Sequence, residues 1–145
     1  MKHVLKRGLR SCLLAQACAL MLAGAAVAGQ VYDCDFTGYG FTNDRSFVPK
    51  RVILDIQPDL SRSTVIDPII AHVHGKPIRA EVTRQGKRWR ASWTIDRVPT
   101  TGNSDLGITF VMRVRADSGQ ASLRLWFRGY DDDVTATGQC KIAKT

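Results

Sequence analysis

A row of arginines on two consecutive stretches carries the clearest chemistry in this sequence. Arg113 and Arg115 alternate with apolar residues in one stretch, and Arg124, Trp126 and Arg128 do so in the next. Alternate residues of a strand share a face, so a hairpin of these stretches would place all five on one surface. Guanidinium groups bind carboxylates and phosphates bidentately, and an indole stacks on rings or cations. The pattern predicts a face for an acidic polysaccharide, a lipid headgroup or an acidic protein; the alternative is a solvated face whose arginine stems cover apolar neighbours.

Two further groups lie in the preceding stretch. Lys87, Arg88 and Arg90 beside Trp89 repeat the basic pattern more weakly. Trp89 and Trp93 alternate with polar residues and so share the inward face of the same strand. They could line a pocket for a small ligand, or they could be core residues, which inward tryptophans usually are.

Metal sites are the next candidates. In His72-Val73-His74, two imidazoles on one face of a strand could chelate Zn²⁺ or Cu²⁺, but further ligands are missing nearby, and a polar pair in a loop or edge is the alternative. The run Asp131-Asp132-Asp133 could bind Ca²⁺, although its spacing does not match an EF-hand loop and a solvated turn is the alternative. We therefore expect no cofactor and no metal, with His72 and His74 as weak candidates.

The sequence lacks the signatures of common hydrolases. It has no Gly-x-Ser-x-Gly elbow and no glycine loop that opens a helix to cradle phosphate. Its one glutamate, Glu81, has no obvious carboxylate partner on its face, as a glycosidase would need. We expect a protein that is not an enzyme.

The elements that must position these residues are strands. Val, Ile and Thr make up 30 of the 117 residues after residue 28, whereas Leu occurs five times, and β-branched side chains favour strands. Short strands with one polar face and no crossover helix predict an all-β, antiparallel sheet of seven or eight strands. We expect a lipocalin- or streptavidin-like barrel, with a sandwich as the alternative. Period-2 alternation places the clearest strands at 52–56, 78–82, 89–95, 106–114 and 121–127, and weaker ones at 31–36, 64–66 and 134–142.

Residues 1–28 have the three parts of a secretory signal. A basic stretch is followed by an apolar run that ends in Ala26-Val27-Ala28 before Gly29. We expect cleavage there, which leaves a single domain at 29–145 in the periplasm or outside the cell; an uncleaved membrane anchor is the alternative. Four of the 21 basic residues leave with the signal while all 13 acidic residues stay, so the net charge falls from +8 to +4. That charge argues against a nucleic-acid partner.

Only Cys34 and Cys140 remain after residue 28. Two thiols in an oxidising compartment, with no others to compete, predict one disulfide. It would tie the first strand to the last, which favours a closed barrel over a sandwich.

Several short stretches carry a resemblance: Tyr32-Asp33-Cys34, Val65-Ile66-Asp67-Pro68-Ile69-Ile70, Gly75-Lys76-Pro77-Ile78 with Glu81-Val82, Ser92-Trp93-Thr94, Gly129-Tyr130 and Gly138-Gln139-Cys140. They resemble a group of small exported proteins of alphaproteobacteria that have no known activity, and the resemblance implies export and a shared disulfide. The opening Tyr-x-Cys is also similar to that of periplasmic inhibitors of C-type lysozyme, which are small disulfide-bonded barrels. The chain lacks their Ser-Gly-x-x-Tyr loop, and its charge is positive where a lysozyme-binding surface should be acidic.

Together these features predict an exported, non-catalytic binding or interaction protein whose arginine- and tryptophan-rich face meets an anionic ligand or an acidic protein. One alternative is a small-ligand carrier that uses the barrel interior. Another is a protein inhibitor of a cell-wall or secreted hydrolase. We expect no stable membrane insertion after the signal is cleaved, and the sequence assigns no oligomeric state.

Overall fold

The computed structural model describes residues 28–39, 47–100, 102 and 104–144. The expected signal peptide therefore lies outside the described residues, apart from its last position. The elements in chain order are β1 (Gln30–Tyr39), β2 (Arg51–Ile56), a 3₁₀ helix (Leu60–Arg62), β3 (Thr64–Ile66), α1 (Pro68–His74), β4 (Ile78–Arg79), β5 (Glu81–Gln85), β6 (Arg88–Pro99), β7 (Asp105–Arg115), β8 (Gln120–Phe127) and β9 (Asp133–Lys144).

The nine strands form one antiparallel sheet that curls into a nearly closed barrel. Their order across the sheet is β4-β3-β2-β1-β9-β8-β7-β6-β5. The two edge strands, β4 and β5, are consecutive in the chain and are separated only by Ala80, whose N–H donates to the carbonyl of Ser63 at 3.0 Å. One continuous segment thus pairs first with β3 and then with β6, and it joins the two edges. The predicted strand at 78–82 is divided here, which is why the sheet has nine strands.

Alternation along the strands separates a dry interior from a polar exterior. On β6, for example, Trp89, Ala91, Trp93 and Ile95 are buried while Arg88 is exposed. Apolar area removed from water in this way is the main favourable term in folding. The largest fully buried side chains come from five strands and the helix around the barrel, and they include Tyr32, Phe36, Leu54, Ile70, Phe110 and Leu123.

A disulfide joins the first strand to the last. Cys34 and Cys140 face each other directly in the register of β1 and β9, and both are buried. β1 pairs with β2 on its other side, so the disulfide fixes the middle of the sheet. The predictions of an antiparallel barrel and of this disulfide are confirmed.

The short helix α1 covers part of the barrel interior. Asp67 caps its N-terminus by accepting from the N–H groups of Ile69 and Ile70 at 2.8 Å, and Gly75 ends it in the left-handed conformation. Ile70 is fully buried. The expectation of a strand or loop around His72 was wrong, because Asp67 followed by Pro68 is a helix start.

Candidate anion-binding site

The register of β6 and β7 brings together two basic groups that are far apart in sequence. Arg90 lies directly opposite Arg113, and Arg88 lies directly opposite Arg115. All four point outward, because their strand neighbours, such as Trp89 and Val114, point into the core. Adding Lys87, which precedes β6, gives five cations at one end of the sheet. We call these five residues the basic cluster.

A single carboxylate offsets the basic cluster. Asp117 accepts from Nε and Nη2 of Arg115 at 3.1 and 3.0 Å and lies 3.7 Å from Nζ of Lys87. The hydrogen bonds from Arg115, with the charges of Arg115 and Lys87, lower the pKa of Asp117 to about 2. Among the described residues, no carboxylate lies within salt-bridge distance of Arg88, Arg90 or Arg113.

The turn that carries Asp117 is held against the last strand. Gly119 has φ +71°, its N–H donates to the carbonyl of Arg115, and its carbonyl accepts from the N–H of Cys140, both at 2.8 Å. A Cβ on Gly119 would collide with the Cys140 carbonyl. The side-chain amide of Gln139 also donates to the carbonyl of Ser118 at 2.6 Å. These bonds anchor one side of the basic cluster next to the disulfide.

Two adjoining depressions lie on the outer face beside the basic cluster. The first has a volume of about 290 Å³, and the second, of about 610 Å³, lies further round the barrel. Gln120 and Ala121 line both, so the two are continuous, and we call them together the outer groove. Arg88, Arg113 and Arg115 line the first with Ser122, and the second is lined by Asp35, Thr37, Thr137, Gly138 and Gln139.

The structure divides the arginine row expected from sequence. Arg113 and Arg115 belong to the basic cluster. Arg124 instead donates to Asp133 at 2.8 Å, and Arg128 lies 2.9 Å from Asp96. The charges of these two arginines are therefore already balanced.

Trp126, the aromatic member of the row, stands at the far end of β8 from the outer groove. It is 36% exposed and lies opposite Thr109 and Asp133. It lies four residues along β8 from Ser122, the nearest groove-lining residue of that strand, a distance of about 13 Å. The indole is thus not part of the groove.

The two inward tryptophans are built into the core. Trp93 stacks on Phe110 with ring centroids 5.3 Å apart, and Trp89 lies beneath the guanidinium of Arg84, 4.9 Å from the ring centroid. Both indoles are at most 4% exposed. Neither Nε1 atom has a hydrogen bond of good geometry within the described part of the chain. Trp89 Nε1 nevertheless lies close enough to Tyr32 to oppose the rise that burial causes in the pKa of that tyrosine.

Asp67 is a buried carboxyl that sequence reasoning did not single out for its charge. It is 4% exposed, and burial raises its pKa, against the lowering effect of hydrogen bonds from the N–H groups of Ile70 and Ile69 and from Trp93. Oδ1 takes both backbone donors, and Oδ2 has no hydrogen bond of good geometry to any residue that the structure describes. The residue caps α1 inside an apolar environment.

The candidate metal ligands are not brought together. His72 and His74 lie two residues apart on α1, where such positions point to different sides of the helix, and both are exposed. Asp133 begins β9 and pairs with Arg124, whereas Asp131 and Asp132 are exposed. Within the described parts of the chain, no three His, Cys, Asp or Glu residues form a group that could hold a metal ion.

The sequence analysis did not predict that the basic residues of β6 and β7 lie side by side, because it considered the pairing of β7 with β8 only. The sequence does contain the information needed for this prediction. Apolar and polar residues alternate clearly in both β6 and β7, and the short connection between these strands favours an antiparallel pair in which the start of β6 lies beside the end of β7. Pairing them in antiparallel register would have predicted that Arg88 and Arg90 meet Arg115 and Arg113.

No known protein family, curated protein or solved structure matches this chain. In the described residues, no helix has the length and apolar character needed to cross a membrane.

Proposed function

We propose that this protein is an exported, non-catalytic binding module that holds an anionic partner on the outer face of its barrel. The basic cluster is the observation that carries the proposal. Like charges directly opposite each other on neighbouring strands destabilise a sheet. Two such arginine pairs side by side, with one carboxylate between five cations, are an arrangement that a bound anion would relieve.

The chemistry of the side chains suits this role. Arginine presents a planar fork of donors that matches carboxylate, sulfate and phosphate groups, and it stays charged at every physiological pH. The unpaired guanidinium groups of Arg88 and Arg113 line a depression, so an anion there would meet donors from two strands. Export is supported by the disulfide and by the predicted signal peptide.

The carrier alternative has less support, because aromatic rings fill the positions where its ligand would lie. Trp93 and Phe110 stack on each other, and both are buried. A ligand at Trp93 would have to displace this packing. An inhibitor of a secreted hydrolase would use the outer face as well, and it is one form that the anionic partner could take.

The test is to measure binding of the mature chain to polygalacturonate, polyglutamate and phosphatidylglycerol vesicles at 50 and 200 mM salt. We expect at least one to bind, with an affinity that falls as salt rises because exposed charges are screened. The double variant Arg90→Gln/Arg113→Gln should lose that binding by about tenfold or more, since each lost charge-assisted hydrogen bond costs about 1.5–3 kcal/mol.

The matched control is Arg124→Gln/Arg128→Gln. It removes the same charge from the same face, but from arginines that already have carboxylate partners. We expect it to retain most of the binding. Equal losses in both double variants would show that only net charge matters, and binding that neither variant changes would refute the proposal.

A further inference from the structure

We infer that the anionic partner is an acidic oligosaccharide that lies along the outer groove with its acid groups at the basic cluster. This inference rests on the proposed anion-binding function and adds the chemical class of the ligand. It comes from what lines the groove beyond the arginines.

The strand register arranges the groove as two parallel rows of outward side chains. Arg115 is followed round the barrel by Gln120, Gln139 and Asp35, since Gln120 pairs with Gln139 and Gln139 with Asp35. In the neighbouring row, Arg113 is followed by Ser122 and Thr137. The groove therefore changes from guanidinium groups at one end to amides and hydroxyls, and it finishes at one carboxylate.

Amide and hydroxyl side chains both donate and accept hydrogen bonds, which is what sugar hydroxyls require. A carboxylate such as Asp35 accepts from hydroxyls but repels acids. The expected ligand thus carries acid groups that reach the basic cluster and hydroxyls along its whole length. The groove crosses five strands from β6 to β1, and strands lie about 4.8 Å apart, so its length is about 19 Å. That length suits a chain of several sugar rings and far exceeds a single sulfate or phosphate ion.

An acidic protein fits the same groove less well. The centres of protein interfaces are enriched in aromatic side chains, and the described residues that line the groove include none. An anionic membrane is also less favoured, because the exposed indole that could enter its interface, that of Trp126, lies about 13 Å along β8 from Ser122, the nearest groove-lining residue of that strand.

The experiment is calorimetric titration of the mature chain with tetragalacturonate, the neutral sugar maltotetraose, tetraglutamate and phosphatidylglycerol vesicles. We expect tetragalacturonate to bind most tightly and maltotetraose at least tenfold more weakly, a difference of about 1.4 kcal/mol. Arg113→Gln should weaken tetragalacturonate binding about tenfold. Gln120→Ala, which removes an exposed amide from the middle of the groove, should weaken it about fivefold and leave tetraglutamate binding unchanged.

The carboxylate of Asp35, at the end of the groove away from the basic cluster, provides a second test. Asp35→Asn should tighten tetragalacturonate binding about threefold, because the outer carboxylates of that probe approach Asp35, and it should not change digalacturonate binding. If tetraglutamate or the vesicles bind better than the sugar and Gln120→Ala has no effect, the saccharide assignment is wrong while the anion-binding function stands. If no anionic probe binds, or if Arg113→Gln changes none of them, both are wrong.

Discussion

Removing one arginine from the basic cluster should stabilise the fold while it weakens binding. Arg113 faces Arg90 directly across the strand pair and has Arg115 two residues along its own strand. Directly opposed like charges destabilise a sheet, and we take the size of the effect from the roughly 0.2–1 kcal/mol that favourable cross-strand pairs contribute. Arg113→Gln keeps a long polar side chain and removes the repulsion, so the free energy of unfolding should rise by about 0.5–1 kcal/mol. In a barrel of this size that corresponds to roughly 2–5 °C in Tm.

The assay is thermal unfolding followed by circular dichroism at 20 mM and 1 M NaCl. The gain should be largest at low salt and should nearly vanish at 1 M, where the Debye length is about 3 Å. Arg124→Gln is the matched control. It breaks an ion pair with Asp133 instead of relieving a repulsion, so its Tm should stay level or fall.

A fall in Tm for Arg113→Gln that does not depend on salt would refute this reasoning. It would mean that the stem of Arg113 supports the sheet by packing, and that the opposed charges cost nothing measurable. The proposed ligand site would then also lose the support of unfavourable electrostatics in the basic cluster.

Three further changes test the scaffold. Cys34→Ala/Cys140→Ala removes a disulfide between residues 106 apart in sequence. Because the unfolded chain then gains loop entropy, the free energy of unfolding should fall by up to about 4–5 kcal/mol, as measured by urea unfolding in comparison with the oxidised protein. A loss below about 1 kcal/mol would contradict this. Gly119→Ala should cost more than about 1 kcal/mol in the same assay, because its φ is +71° and the new methyl would collide with the Cys140 carbonyl; an unchanged midpoint would show that the turn adapts. Burial raises the pKa of Asp67, so this carboxyl holds its proton more tightly in the folded chain than in the unfolded one. Its contribution to stability is therefore complete below the ordinary pKa of 3.8, and it is lost as pH rises through the pKa of the folded state. Asp67→Asn keeps a capping side chain and should flatten that decline in Tm measured from pH 3 upward, whereas an unaltered profile would show that Asp67 does not titrate in this range.

The barrel could be predicted from sequence because its strands alternate cleanly. Trp89, Trp93 and their neighbours mark the inward face because they are apolar and alternate with polar residues. Cys34 and Cys140 are the only cysteines after residue 28. The helix was missed because α1 has only seven residues, too few for a helical period to show. Its start was visible only in local chemistry, in an Asp cap before a proline.

The site was harder to predict than the fold, because the role of an exposed arginine depends on which residue lies opposite it on the neighbouring strand. Arg113 and Arg124 look alike in sequence, since both alternate with apolar residues. Only the register shows that Arg113 faces another arginine, whereas Arg124 reaches an aspartate. Charge pairing across strands therefore separates arginines that already have a carboxylate partner from those that we propose bind an anion. Because the side chains of this barrel are packed in its interior, we look for a binding site on the outer face, among the arginines that have no carboxylate partner there in the described residues.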